Sequence, residues 1–250
     1  MSTLTAILVF VFVFAGALGG ILLRRILPER HLQDDSREII KLALGLVGTM
    51  VALILSLLIG SSKAFYDAQS AELTQISAQV VVLDRLLAHF GPEAKNARSM
   101  LRSAVEGLLD RSRSSEPIGV SQIDPAASGS EPLYEAIQDL TPQNESQRMT
   151  QTQAITIMTG VGQTRMLMYE QTRIQLPRVF LVILVFWLSM IFAGFGLLTS
   201  ANGTSIASLL VAALSVAFAV FLILEMSNPY RGFIQVPIAP LESALVQLGR

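Results

Sequence analysis

The chain has 250 residues, of which 52% are hydrophobic and only 15% charged, and its mean hydropathy is +0.55. That is too apolar for an ordinary soluble domain. A net charge of -1 at pH 7 provides no global field for nucleic acid, and the absence of cysteine excludes disulfides, thiolate nucleophiles and zinc–thiolate sites. His31 and His89 are too few for a histidine-based metal cluster.

In chain order, the first element is an apolar run over Leu4–Leu23. About 20 such residues match the hydrocarbon thickness of a bilayer. No Lys or Arg precedes this run, while Arg24 and Arg25 follow it at once. That polarity is the reverse of a secretory leader, so the segment reads as a retained anchor despite the small residues at Ala15-Gly16-Ala17. Ala15 with Gly19, and Gly16 with Gly20, form tandem small-xxx-small pairs that permit close helix packing in lipid, within a subunit or between subunits.

His31, Asp34 and Asp35 have the residue types of a metal site, but Asp35 and Glu38 have the spacing of a capping box opening the next helix. The second span covers Ile40–Ser61, and after Gly60 no Pro or Gly interrupts the chain until Gly91. Apolar residues then recur every seven positions. Tyr66, Leu73, Val80 and Leu87 form one row; Gln69, Ile76, Leu83 and Phe90 form the other. The seam is coiled-coil-like and predicts a single helix running out of the membrane into water. Asp84-Arg85 lies beside it and reads as a solvated ion pair.

Gly91-Pro92 stops that helix and starts another, whose Ala97, Leu101, Ala104 and Leu108 share a face. A Ser/Pro/Gly-rich stretch at about 114–130 reads as a flexible loop. "LYEAIQDL" makes a short helix, and Thr141-Pro142 caps a long one extending to Pro177. On it, Met158, Met166 and Met168 read as core filling near Arg165, and Gly160–Gly162 as a packing notch.

The third and fourth spans are Val179–Leu198 and Ser205–Leu224, joined by a tight turn at Asn202-Gly203-Thr204. Gly194 and Gly196, with Ala212, Ser215 and Ala219, add further packing notches. Glu225 ends the fourth span, where a carboxylate opposes the helix dipole, so Arg231 is its expected partner. Asn228-Pro229 breaks the helix and Gly232 permits a turn. Pro240 then opens a terminal helix whose Leu241, Ala244, Leu245 and Leu248 form an apolar docking face. That face covers the membrane interface, its own bundle or a neighbouring subunit.

The expected fold is therefore all-α: four transmembrane helices with a long helical-bundle insert between spans two and three. Residues 1–62 form the first transmembrane hairpin, 63–177 the bundle, 178–226 the second hairpin and 227–250 the docking tail. No nucleophile–base–orienter set, phosphate loop or HExxH is present, so an enzyme is not expected, and neither a cofactor nor a resident metal is. Basic residues flank both sides of the spans almost equally, which leaves membrane orientation open.

The segments "LPERHL", "LDRLLAHFGPEAKNAR", "PQNESQ", "QTRMLM", "FWLSMIFAGFGL", "LILEMSNPYRGFIQV" and "APLESAL" resemble the bacterial bestrophin-like membrane protein family over nearly the whole chain. The resemblance implies four spans in the bacterial inner membrane and kinship in layout with bestrophins, which are pentameric anion channels. Bestrophins also carry a calcium clasp built from acidic residues after the fourth span. Here that region offers only Glu225 and Glu242, too few oxygens for a hard cation. Two functions remain open. One is a homo-oligomeric anion channel, and the other is a structural or signalling protein that couples its bundle to the bilayer without conductance.

Overall fold

The computed structural model of the chain describes residues 2–28, 34–113, 130–173, 178–230 and 232–249. Among these residues it is helical without strand. The helices are α1 (Ser2–Ile26), α2 (Asp34–Phe90), α3 (Lys95–Arg113), α4 (Ser130–Gln138), α5 (Glu145–Arg173), α6 (Arg178–Leu198), α7 (Gly203–Met226) and α8 (Ala239–Gln247). Four of them, α1, α2, α6 and α7, are long and apolar enough to cross a membrane. The chain divides into two compact units: residues 1–65 with 176–227, and residues 66–175 with 228–250. Helix α2 is one unbroken element of 57 residues and contributes to both.

In the first unit, α1 packs on α6 and α7 around Val9, Val13, Ala17, Leu188, Phe192 and Val220. Glycine sets the α1–α6 distance. A methyl group at Gly20 would overlap the Ala193 carbonyl, one at Gly196 would overlap the Ala17 carbonyl, and one at Gly16 would lie 2.7 Å from the Ser189 oxygen. Residue numbers rise together along this contact, so the two helices run parallel with their backbones touching. The other pair behaves differently. Ala15 and Gly19 are exposed, and a methyl at Gly19 would meet nothing within 4 Å. Gly194 gives room to the Leu44 side chain of α2. Asn202 caps α7, its side chain accepting the Ser205 amide at 2.8 Å, which accounts for the tight turn.

In the second unit the heptad rows become the core: Ile76, Val80, Leu83, Leu87 and Phe90 are buried, and Gln69 with them. Gly91 ends α2 with φ 125°, a left-handed conformation that side chains rarely adopt. A 3-10 turn at Pro92–Ala94 leads into α3. On α3 the buried stripe is Ala97, Leu101, Val105 and Leu109. It advances by four each time, so Ala104 and Leu108 sit at its half-buried edge instead of on its axis.

Three sequence expectations about helix starts and packing are corrected. Asp35 already lies within helix α2, whose described part starts at Asp34, and so it is not at the cap. The long helix α5 begins at Glu145 and is capped by Asn144, whose side chain accepts the Gln147 amide at 2.9 Å. Thr141-Pro142 lies outside it. Met166 is exposed while Met158 and Met168 are buried, and a methyl at Gly162 would meet nothing within 4 Å, so Gly162 is not a packing notch.

"PQNESQ" has a physical role. Gln147 accepts the Gln143 amide at 2.6 Å and donates to the Phe90 carbonyl at 2.7 Å, closing the end of α2. Gln151 donates to the carbonyls of Ile137 (3.0 Å), Gln138 (3.1 Å) and Leu140 (2.8 Å), closing the end of α4. Two glutamines of one helix thus satisfy orphan carbonyls on two others.

Candidate functional site

Helix α2 presents the most unusual surface. Only 6% of its most apolar 18-residue window is buried, against 28% for each of α1, α6 and α7, so among the described residues its span is the least covered of the four. Val51 is the buried residue of this stretch. On the far side, Gly45, Thr49, Ala52, Ser56, Gly60 and Lys63 are exposed at steps of four, three, four, four and three residues, which is one helical face. That face is small and hydroxyl-bearing, with Leu42, Leu53 and Leu57 exposed beside it. Methyl groups at Gly45 and Gly60 would meet nothing within 4 Å. Thr49 folds its hydroxyl onto the Leu46 carbonyl at 2.8 Å, so its polarity is satisfied within the helix.

At the end of α7, Glu225 is 1% exposed and accepts a hydrogen bond from the Ser2 hydroxyl of α1. Next to it, Ser62 of α2 and Ser227 share a hydrogen bond of 3.0 Å. The expected partner Arg231 lies outside the described residues. Ser2 was not foreseen, because nothing in the sequence near residue 225 points to the start of the chain.

The second unit holds two polar clusters on the heptad helix. In the first, Gln69, fully buried, donates to Gln171 at 2.6 Å; Gln171 donates to Glu72 at 3.0 Å; and the Tyr230 hydroxyl donates to Gln69 at 2.5 Å. Burial, together with the Glu72 charge, pushes the Tyr230 phenol well above its ordinary range, so it remains a donor. The single polar break in the seam is thus the anchor for the segment after α7. Nearby, Tyr66 donates to the Gln235 carbonyl at 3.0 Å, and the Val236 amide closes back on Pro229 at 3.0 Å, with Gly232 at φ 119° making the turn.

In the second cluster, Asp84 is 2% exposed, which corrects the reading of a solvated Asp84–Arg85 pair. Its carboxylate is gripped by Arg98 of α3 through two bonds, 2.8 and 2.9 Å, and accepts the Gly249 amide at 3.2 Å. Burial alone would raise its pKa, but the bonds from Arg98 and Gly249 and the charges of Arg98 and Arg85 outweigh that and hold it below the carboxylate range. Arg102 donates to the Leu248 carbonyl at 3.3 Å. Together they seat the tail. Leu241, Ala244 and Leu248 are buried and Leu245 is half-buried against the bundle of this same chain. Among the three coverings open to the tail's apolar face, the bundle is the one it meets.

No group of three or more His, Asp or Glu placed to hold a metal occurs among the described residues; His31 lies outside them.

A family model described as "Bestrophin-like domain" matches residues 11–241. Among solved structures, the chain is similar to three single-mutant crystal structures of a bacterial bestrophin homologue from Klebsiella pneumoniae. Two have a TM-score of 0.67 at 13% identity, covering 97% of both chains. The third has a TM-score of 0.66 at 12% identity, covering 98% of this chain and 97% of that one. No curated protein matches. The identities are low, so these structures speak for the fold, and the family match carries the assignment: the chain belongs to the bestrophin-like family.

Proposed function

We propose that this membrane protein is the protomer of a homo-oligomeric, anion-conducting channel of the bacterial inner membrane, pentameric as the resemblance to bestrophins implies. The observation that carries the reading is the uncovered face of α2. A span with 6% of its window buried needs a further environment. Lipid suits Leu42, Leu53 and Leu57, but it gains little from Gly45, Thr49, Ala52, Ser56 and Gly60. In a ring of copies those small residues form the wall of a narrow, uncharged passage, and the Thr49 hydroxyl can exchange its bond to the Leu46 carbonyl for a passing anion without trapping it. No ionisable residue lies between Lys41 and Lys63, which disfavours a proton-coupled transporter.

The second reading, coupling without conductance, is supported by α2 being one helix from Asp34 to Phe90. The natural absence of cysteine separates the two directly. Single cysteines at Thr49, Ala52 and Ser56 should be attacked by water-soluble thiol reagents with block of anion flux, whereas cysteine at Leu53 or Leu57 should react slowly and without block. Uniformly unreactive thiols on the small face would sink the channel reading.

A further inference from the structure

The last turn of α1 carries Arg24 and Arg25. Arg24 is half-buried, and one terminal nitrogen of its guanidinium is shut off from solvent without a hydrogen-bond acceptor. A buried donor on a charged group is costly when it lacks an acceptor, so the open edge of the same fork has reason to gain a strong one. Arg25 is exposed. α1 and α2 are consecutive membrane-length helices, so Arg37 and Lys41, which precede the apolar run of α2, flank the same side of the membrane. Among the described residues, none of these four cations makes a hydrogen bond or an ion pair within the chain, and the exposed Asp35 and Glu38 pair with none of them.

The packing of the first unit brings a second positive element to this end. Ser2 of α1 meets Glu225 of α7, so the two helices pair antiparallel. An equal number of residues carries Ser2 to Arg24 and Glu225 back to Gly203, which puts the last turn of α1 level with the first turn of α7. There Asn202 covers the Ser205 amide, while Gly203 and Thr204 are exposed at the positive end of the α7 dipole.

We propose that this end of the first unit binds the phosphodiester of an anionic membrane lipid, seated on the open edge of the Arg24 fork with Arg25 beside it. The depth sets the source: the last turn of an apolar span lies at headgroup level, where phosphates are dense. The planar fork matches two phosphate oxygens at once. Leu18, Leu22 and Leu23 are exposed along the same end of α1, an apolar surface for acyl chains that a free phosphate would leave uncovered. The inference is independent of whether the membrane helices conduct.

The test is native mass spectrometry of the full chain in detergent, titrated with dioleoylphosphatidylglycerol or dioleoylphosphatidylcholine. The first phosphatidylglycerol is expected to bind roughly tenfold tighter than phosphatidylcholine. Arg24→Gln should remove that preference, and Arg24→Lys, which keeps the charge without the fork, should lose part of it. Lys95→Gln, on the exposed side of α3, should leave it unchanged. The wild-type comparison holds even where Arg24→Gln fails to fold: no preference for phosphatidylglycerol overturns the site. Equal losses in Arg24→Gln and Lys41→Gln would show diffuse attraction to an anionic surface and overturn it as well. Displacement of the lipid by millimolar inorganic phosphate would move the assignment to a free phosphate and overturn the lipid.

Discussion

Replacing Asp84 by Asn probes the contact that seats the tail. The carboxylate is 2% exposed, whereas the Arg98 side chain is 26% exposed, so this is an ion pair with one end in the interior and one near water. Asn preserves the shape and one acceptor oxygen, but it turns an amide toward the guanidinium and donors then face donors. Hydrogen bonds to charged groups contribute about 1.5–3 kcal/mol each, and the exposure of Arg98 discounts the lost pair, which leaves a net destabilisation of roughly 2 kcal/mol. For a chain of this size that is a fall in Tm of about 4–8 °C, readable by thermal unfolding in detergent. The Gly249 contact weakens at the same time, so cleavage within 239–249 by a nonspecific protease should accelerate. The pH dependence has a definite sign. The folded carboxyl titrates below its unfolded value of about 3.9, so its stabilisation is fully present above that pH and is lost as the pH falls through the lower folded value. Wild type and Asp84→Asn should therefore differ by the same amount at pH 7 and pH 5, and converge only in stronger acid. A double variant with Arg98→Gln should cost less than the two singles added together. Strict additivity, or an unchanged Tm and tail cleavage rate in Asp84→Asn, would refute the latch.

Gly20→Ala should lower thermal stability by about 1–3 kcal/mol or prevent assembly of the first unit, since the new methyl overlaps the Ala193 carbonyl, while Gly19→Ala should be within about 0.5 kcal/mol of wild type. Equal effects would show that α1 and α6 do not pack backbone to backbone. Leu83→Asp and Ile76→Asp bury an unpaired charge and should abolish cooperative unfolding of the second unit, whereas Val82→Asp, at a side chain 47% exposed, should be tolerated. Gln147→Ala removes both the return bond to Gln143 and the cap on Phe90, and should cost about 1 kcal/mol, with faster hydrogen exchange at the start of α5.

Periodicity made much of this fold legible. Ile76, Leu83 and Phe90 were readable as core because a repeat of seven has one structural explanation in a helix, and Gly91-Pro92 marks its end in plain view. What escaped was whatever depends on distant partners. Asp84 beside Arg85 looks like a surface pair, and only the turn that brings Arg98 and the Gly249 amide against it makes it interior. Glu225 was legible as a carboxylate in need of a partner, but not that Ser2 approaches it from 223 positions away. The two small-residue pairs of α1 are indistinguishable by spacing, yet one faces α6 and the other faces away; side-chain volume cannot tell which face a helix will use. The α2 face was missed for a related reason. Gly45, Thr49, Ala52, Ser56 and Gly60 form a pattern only once it is seen that the other spans leave them uncovered.

Conduction through an assembly of this chain is the proposed function. The most direct measurement is single-channel recording of the purified protein in planar bilayers under a potassium chloride gradient. Discrete unitary currents are expected, with a reversal potential that moves toward the chloride equilibrium potential, and they should be lost when Ala52 on the small face of α2 is replaced by Trp. A silent bilayer containing verified, folded oligomer, or unitary currents indifferent to Ala52→Trp, would contradict it.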